Sequence, residues 1–356
     1  MKKIGITTTI YGNNFGEALQ AFAMKNAINT YCKNTVAGFV NFICFNQVNI
    51  NKPGFERYLK LNEHKNNLFN EFREEELGII GRPQKHIETD DNLNFDKYVF
   101  GSDQIWNTNA WKIPEFFGSF VTSMKPKIAY AASVGLQPNS ELLNKELFEK
   151  YIDTFDYLSV REKIHCDFIK QFTNKPVEFV ADPTMLLDVS CYVNLFKDIK
   201  IERPNNKYIF YYQPHSADGA ILNLVNKIAR KNKMDVVHTF AEIPKIIFPY
   251  ESISARFAGP KEFLKYIANA DLVITRSYHA VVFSILFKKP FYAYVDKKTG
   301  SRFESLLSTL GLEDRLVYDY LDPQDVNFDI DYRNVYEKLD QFKSHSIKFL
   351  KKALEN

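Results

Sequence analysis

KIGITTTIYGNNFGEALQAFAMKNAINTYC, residues 3–32, contains three successive elements of one folding unit. Residues 3–10 are mostly apolar or β-branched, which is typical of a buried strand. Gly12 and Gly16 then bound a polar turn, and the residues after it carry apolar side chains at helical spacing. A strand, a glycine turn and a helix in this order predict an α/β fold with a parallel sheet.

The same alternation continues along the first half of the chain. VAGFVNFICF at 36–45 predicts a second buried strand, whereas the polar, Asn- and Lys-rich residues 46–92 are interpreted as a helical excursion. Short apolar runs predict further strands at 96–100, 127–134, 157–160 and 177–180. Together these elements predict a Rossmann-like domain over residues 1–195.

A second set of strands and helices begins after residue 200. KYIFYYQP at 207–214, DVVHTF at 235–240, DLVIT at 271–275 and PFYAYV at 290–295 predict strands with helical patterns between them. We therefore predict a second Rossmann-like domain over 196–333, facing the first across a cleft. Residues 334–356 predict an amphipathic helix that could pack back on the first domain. A length of 356 residues agrees with two domains.

Composition excludes several classes of function. The 46 basic and 43 acidic residues are mixed along the chain, so no basic tail or stripe indicates nucleic-acid binding. No apolar run approaches the roughly 18 residues of a membrane span, and threonines interrupt the apolar run behind Lys2 and Lys3, unlike a secretory signal. The four cysteines form no CxxC pair and the seven histidines are scattered, so we expect no metal site and a reducing, cytoplasmic location.

Polar clusters that follow predicted strands are the candidate functional residues, because ligands of parallel sheets bind at the carboxyl ends of the strands. In GSDQIWN, residues 101–107, Asp103 could act as a base and Trp106 could stack on a sugar. The alternative is that Asp103 caps a helix and Trp106 belongs to the core. The Gly12–Gly16 turn could bind an anion or be purely structural.

Three further clusters have the same ambiguity. Arg161 could hold a carboxylate or phosphate, or pair with an acid such as Glu162 or Asp156. Ser277 and His279 begin an apolar helix, where His279 could donate a proton or be satisfied in the core. Asp182, before Pro183, is interpreted mainly as a cap.

Taken together and in this order, seven stretches resemble the polysaccharide pyruvyl transferase family. They are NNFGEALQAFAM (13–24), FGSDQIWN (100–107), IAYAASVG (128–135), LSVREK (158–163), VADPTMLLD (180–188), AGPKEFLKYIANADLVITRSYHAVVFSILFKKPF (258–291) and SRFESLLSTLGLEDR (301–315). They extend over most of the chain.

The resemblance implies two Rossmann-like domains of the GT-B type, phosphoenolpyruvate as donor, a glycan as acceptor, and neither a metal nor an organic cofactor. The implied product is a cyclic pyruvate ketal of a surface or capsular polysaccharide. The arginine and the histidine of the family's sequence pattern correspond to Arg161 and His279. Ser277 stands where some members have a donor-binding arginine, a role that Arg276 or Arg302 could take.

The expected site therefore has three parts. The catalytic residues are His279 as the acid and Asp103 as the base, and the donor is bound by Arg161, Arg276, Ser277 and Arg302. The acceptor is bound mainly from the first domain, by Asn14, Gln20, Ser102, Gln104 and Trp106.

Two other functions compete with this prediction: a GT-B glycosyltransferase that uses a nucleotide sugar, and a glycan-binding protein without turnover. The acceptor could be lipid-linked, in which case the protein would work at the inner face of the membrane. The lysines of the 334–356 helix could then make a peripheral contact with that surface, although we interpret this helix mainly as an ordinary packed and solvated one.

Overall fold

The computed structural model describes residues 1–42, 60–214, 218–240, 248–296 and 300–356. Within these ranges the backbone forms two β-sheets of six strands each, and all neighbouring strands in both sheets are parallel. The α/β prediction with two parallel-sheet domains is therefore confirmed.

The first domain is built on strands from the first half of the chain. They are β1 (Lys2–Thr7), β2 (Thr35–Phe39), β3 (Lys97–Phe100), β4 (Lys127–Ala132), β5 (Tyr157–Val160) and β6 (Val177–Phe179). Their order in the sheet is β2-β1-β3-β4-β5-β6. The helices of this half are α1 (Phe15–Tyr31), α2 (Glu63–Phe72), α3 (Glu146–Tyr151), α4 (His165–Ile169) and α5 (Val189–Phe196).

The second domain contains the second sheet. Its strands are β7 (Tyr208–Tyr212), β8 (Asp235–His238), β9 (Ser252–Ser254), β10 (Leu272–Thr275), β11 (Phe291–Tyr294) and β12 (Leu316–Val317). The order β9-β8-β7-β10-β11-β12 is the Rossmann order, with β7 as the first strand. The helices are α6 (Gly219–Asn232), α7 (Pro260–Asn269), α8 (Tyr278–Leu286), α9 (Ser301–Leu310) and α10 (Tyr332–Glu355).

The predicted strands agree with the structure apart from their ends. The strand predicted at 36–45 ends at Phe39, and its residues from 43 onwards lie outside the described part of the chain. Of the predicted helical excursion, residues 46–59 also lie outside it, and α2 follows with a π-helical turn at Arg73–Leu77. Strands β9 and β12 were not predicted.

A hydrophobic interface joins the two domains. Phe15, the first residue of α1, stacks on Phe263 of α7 with ring centroids 4.4 Å apart, and it contacts Tyr212 at the end of β7 at 5.4 Å. These side chains belong to one buried cluster that contains residues of both sheets. Aromatic pairs of this kind add to the free energy gained by burial, so the two domains are packed against each other rather than merely linked.

Helix α10 contacts both domains. Near its start, Tyr336 Oη donates to the carbonyl of Leu286, at 2.6 Å. Further along, Ser346 Oγ accepts a hydrogen bond from the backbone N–H of Ala181, at 2.8 Å, and Phe342 stacks near Phe179 of β6 with centroids 4.8 Å apart. Phe349 of α10 also contacts Tyr130 of β4 and Tyr157 of β5, so the apolar face of α10 is buried against a face of the first sheet.

Candidate functional site

A polar cavity of about 500 Å³ lies between the carboxyl ends of the two sheets. In each sheet the strand order reverses beside the first strand, with β1 between β2 and β3, and β7 between β8 and β10. Crevices of α/β proteins form at such reversals. We call this cavity the cleft; its walls include Asn14, Glu17, Asp103, Gln104 and Trp111 from the first domain and Arg276, Ser277, Tyr278, His279 and Arg302 from the second.

The loop after β1 forms the first wall. Asn14 caps α1 by accepting a hydrogen bond from the N–H of Gly16 at 2.8 Å, a standard start for a helix. Glu17, in the first turn, accepts a hydrogen bond from the backbone N–H of Gly12 at 3.2 Å. These two contacts hold the glycine turn against the helix and leave both side chains at the cleft.

The loop after β3 places Asp103. Gly101 has φ of +118°, and a Cβ there would lie 2.2 Å from the carbonyl oxygen of Tyr130, so only glycine fits. Asp103 itself has φ of +68°, which turns its side chain toward the cleft. Its carboxylate accepts a hydrogen bond from Thr9 Oγ1 at 3.2 Å and lies 3.4 Å from Arg161 Nη2.

Behind Asp103 lies a buried ion cluster. Asp182, at the end of β6, is fully buried and accepts hydrogen bonds from Arg161 Nη1 at 2.8 Å and from Ser102 Oγ at 3.0 Å. Its other oxygen accepts from the N–H and hydroxyl of Thr184, which gives Asp182 the capping role expected from the sequence. Arg161 therefore binds two carboxylates, and its guanidinium also stacks over the ring of Tyr278, 4.5 Å from the centroid.

Burial and charge act in opposite directions on the pKa values in this cluster. Burial alone would raise the pKa of Asp182, but contact with His279 and the charge of Arg161 hold that pKa well below its usual range. Burial alone would lower the pKa of Arg161, and the carboxylates of Asp182 and Asp103 raise it instead. The cluster is thus a set of fixed charges behind the cleft.

His279 connects the second domain to this cluster. Ser277 caps α8 by accepting from the N–H of Ala280 at 3.4 Å, which places His279 in the first turn of the helix. The imidazole Nε2 lies 3.5 Å from Asp182 Oδ2, and Nδ1 faces Gly16 of α1. His279 is almost completely buried but borders the cleft.

Two arginines bring positive charge to the cleft. Arg276 follows β10 and pairs with Asp218, the cap of α6, at 3.3 Å. Arg302, on α9, pairs with no acid in the described part of the chain, and its buried Nε has no hydrogen-bond partner there. Burial and the nearby Arg161 lower the pKa of Arg302, so a bound anion would relieve an unfavourable environment.

The structure brings seven of the predicted site residues to the cleft, namely Asn14, Asp103, Gln104, Arg276, Ser277, His279 and Arg302. Arg161 reaches it only through Asp103, since its guanidinium is occupied by two carboxylates. Ser102 is buried and donates to Asp182, and Gln20 is buried and donates to Thr8 and to the carbonyls of Thr9 and Glu17. Ser102 and Gln20 were predicted to bind the acceptor, but their side chains stabilise the loops instead.

Trp106 was also predicted to bind the acceptor, but it lies in the core of the first domain. Its indole is fully buried, stacks on Phe117 at 5.8 Å between centroids, and donates from Nε1 to the carbonyl of Phe116 at 3.3 Å. It belongs to the aromatic core beneath the cleft and cannot stack on a sugar. The other tryptophan, Trp111, borders the cleft and is half-buried.

Sequence reasoning missed Glu17 as a candidate. Burial and the charge of Asp103 raise the pKa of Glu17 to about 8, against the smaller opposing effects of the Gly12 N–H and Arg73. The only available signal was its place directly after the glycine turn, within NNFGEALQAFAM.

Among the described residues, no group of three or more His, Cys, Asp and Glu side chains is arranged to hold a metal ion. Among the helices described, none is long and apolar enough to span a bilayer.

Comparison with known proteins identifies the fold and the family. A family model described as polysaccharide pyruvyl transferase matches residues 14–296. MnaA of Staphylococcus aureus, solved with UDP, is 13% identical with a TM-score of 0.54, and the match covers 98% of this chain and 91% of that one. UDP-GlcNAc 2-epimerase of Neisseria meningitidis, bound to UDP-GlcNAc, is 11% identical with a TM-score of 0.53, covering 98% and 94%. At this identity the likeness shows a GT-B-like fold alone. No curated protein sequence matches the chain.

Proposed function

The chain belongs to the polysaccharide pyruvyl transferase family, and from this premise we propose that it transfers the enolpyruvyl group of phosphoenolpyruvate to a glycan. Two neighbouring hydroxyls of one sugar receive the group, which becomes a pyruvate ketal. The product is a building block of a surface or capsular polysaccharide.

The main support for the proposal comes from Arg302. It borders the cleft, no acid in the described residues pairs with it, and its buried Nε has no hydrogen-bond partner there. Phosphoenolpyruvate has a phosphate and a carboxylate, the anions that guanidinium groups bind best. Arg302 and Arg276, on one side of the cleft, would hold these two groups, with Ser277 beside them.

The opposite wall supplies groups suited to sugar hydroxyls. Asp103, Gln104 and Asn14 offer oxygen acceptors and amide donors, and Trp111 offers an aromatic face. Arg161 would act by fixing Asp103 and Asp182 rather than by touching the donor. In this arrangement the acceptor lies against the first domain and the donor against the second.

Asp103 and His279 would then divide the proton transfers. Protonation of C3 makes C2 electrophilic; the first hydroxyl adds to C2, phosphate leaves, and the second hydroxyl closes the ketal. Asp103 removes hydroxyl protons as the base, and His279 donates a proton as an acid. The reaction needs no cofactor.

Binding tests the donor directly. Thermal unfolding is measured with phosphoenolpyruvate, pyruvate, phosphate and several nucleotide sugars at millimolar concentration, since a ligand that binds only the folded state raises Tm. We expect a rise with phosphoenolpyruvate in the wild type and in Arg230→Ala, which removes an exposed arginine of α6, but not in Arg302→Ala. Phosphate release with glycan fractions then identifies the acceptor.

The other outcomes are equally informative. A rise with a nucleotide sugar alone would overturn the proposed donor and favour a glycosyltransferase. Glycan binding without phosphate release under any donor would favour a binding protein. If the enzyme accepts only lipid-linked fractions, we infer that it acts at the inner face of the membrane. It is then a cytoplasmic enzyme, and the cytoplasm supplies its phosphoenolpyruvate.

A further inference from the structure

Ketal formation requires two protons to be delivered and two to be removed. One proton goes to C3 of the donor and one to the departing phosphate, while each of the two sugar hydroxyls loses one. His279 is a single acid, and its Nε2 faces the buried Asp182. The proposed reaction therefore needs a second proton donor that borders the cleft.

Glu17 occupies a suitable position. It borders the same cavity as Asp103 and His279, in the first turn of α1. Its Oε2 accepts a hydrogen bond from the backbone N–H of Gly12 at 3.2 Å. Among the described residues it is the one hydrogen bond to this carboxyl group, and it does not use the second oxygen.

The groups around Glu17 leave it without an ion-pair partner among the described residues. Arg73 is the cation that acts on it, but its guanidinium donates to the carbonyls of Ile10 and Gly12, at 3.3 and 3.4 Å, and to Asn70 Oδ1 at 2.8 Å. Asp103 faces Glu17 from the β3 loop, and Tyr212 faces it from the end of β7. His279 faces the same cavity from α8.

The two carboxyl groups of the cleft thus have contrasting surroundings. Asp103 has an ion-pair partner, Arg161, whose Nη2 lies 3.4 Å from its carboxylate. Glu17 lacks such a partner, and burial together with the charge of Asp103 raises its pKa to about 8, so it is largely protonated at neutral pH. Pairs of this kind divide acid and base roles between them.

We propose that Glu17 is the acid that protonates C3 of the enolpyruvyl group, which leaves His279 to protonate the departing phosphate. This inference rests on the proposed function and extends it to a residue outside the predicted site.

The reaction begins with proton transfer from Glu17 to the donor. The Oε–H bond of Glu17 breaks and a C3–H bond forms, so that C2 becomes electrophilic and Glu17 a carboxylate. The first hydroxyl adds to C2 and its proton passes to Asp103. The C2–O bond to phosphate then breaks, and the phosphate takes a proton from His279. Asp103 passes the first proton on to the Glu17 carboxylate, which restores the acid. The second hydroxyl then adds to C2 and its proton passes by way of Asp103 to His279, so that all three side chains return to their starting states.

The test compares Glu17→Gln with Glu262→Gln. Glu262 is the matched control, because it too lies in the first turn of a helix and accepts from a glycine N–H, that of Gly259 at 3.0 Å, but outside the cleft. Infrared difference spectra in D₂O should show a protonated carboxyl group at pH 7 in the wild type and in Glu262→Gln but not in Glu17→Gln.

Kinetics with the acceptor found by phosphate release provide the second readout. We expect kcat of Glu17→Gln to fall by about 10²-fold or more with KM for phosphoenolpyruvate unchanged. Wild-type activity should decline as the pH rises through about 8, where Glu17 loses its proton, and Glu17→Gln should lack this decline. Glu17→Asp should recover part of the rate.

The outcomes separate the two proposals. A wild type that turns over phosphoenolpyruvate, with Glu17→Gln equally active or with no protonated carboxyl group, overturns the role of Glu17 alone. A wild type that neither binds nor uses phosphoenolpyruvate overturns the proposed function, and this step with it, whatever the spectra show.

Discussion

The imidazole of His279 lies directly against Gly16, so closely that a Cβ on Gly16 would stand 2.1 Å from Nδ1. Gly16 belongs to the first domain and His279 to the second, so this contact joins the two domains beside the cleft. The helical backbone at Gly16 does not by itself require glycine. The close approach of the imidazole does, because it leaves no room for a Cβ.

Gly16→Ala should therefore displace the imidazole. We expect a destabilisation of about 1–3 kcal/mol from overpacking and a loss of transfer activity of about 10²-fold from the misplaced acid. Gly219→Ala is the control, since a Cβ at Gly219 meets nothing within 4 Å. Tm and initial rates measure both effects; an active Gly16→Ala protein would show that His279 is not held by this contact.

Asp182→Asn should weaken the whole ion cluster. The substitution removes the buried charge that pairs with Arg161, and breaking a buried pair typically costs about 3–5 kcal/mol. Asp188→Asn is matched to it, because Asp188 also accepts from the residue two positions on but is exposed. Denaturant unfolding should give a large loss for Asp182→Asn and little change for Asp188→Asn, and equal losses would contradict the assigned role of the cluster.

The two tryptophans should respond in opposite ways. Trp106→Ala creates a cavity in the aromatic core and should cost about 3–5 kcal/mol, whereas Trp111→Ala should chiefly weaken glycan binding. In Trp106→Phe the remaining indole is Trp111, so its fluorescence should change when the acceptor binds. Unchanged emission at saturating acceptor would remove Trp111 from the acceptor site.

His238 should make the second domain sensitive to acid. Burial lowers its pKa to about 4, so the folded protein keeps the imidazole neutral, while the unfolded chain takes up a proton near the ordinary value of 6.5. The stability that it contributes is complete above pH 6.5 and is lost as the pH falls toward 4. His238→Gln should reduce the difference in Tm between pH 7 and pH 5, and His64→Gln, at an exposed position, should not.

Ser346 should be needed for the contact of α10 with the first domain. Ser346→Ala leaves the N–H of Ala181 without its partner, which should cost about 1–3 kcal/mol. Ser344, two residues away on the exposed face, provides the control, and Ser344→Ala should change the free energy of unfolding by less than about 0.5 kcal/mol. Similar values for the two variants would mean that solvent replaces the lost hydrogen bond.

Much of the fold could be predicted because buried parallel strands are continuous apolar runs between glycine turns and helices. Strands β9 and β12 could not: Ser252–Ser254 is two-thirds serine, and Leu316–Val317 has only two residues. Each is a strand only because it pairs with a neighbour, β9 with β8 and β12 with β11.

The sequence predicted which loops form the site, but not which way the side chains of each loop point. Asp103 and Trp106 lie in one loop after β3, yet the turn at Gly101 directs Asp103 to the cleft and leaves Trp106 in the core. Arg161 was expected to bind a ligand or a nearby acid, and it binds Asp182 and Asp103, which are 21 and 58 positions away. Such partners depend on which strands are neighbours, and a local pattern does not contain that information.

The position of α10 in the sequence has a consequence for biosynthesis. Its apolar face covers side chains of the first sheet, such as Phe179, but the ribosome makes α10 only after both sheets have been synthesised. The first domain cannot finish folding as an N-terminal unit during translation, as most domains do. The part of the first sheet that α10 covers stays exposed while the second domain is made, and a nascent chain halted before α10 should be a preferred client of chaperones.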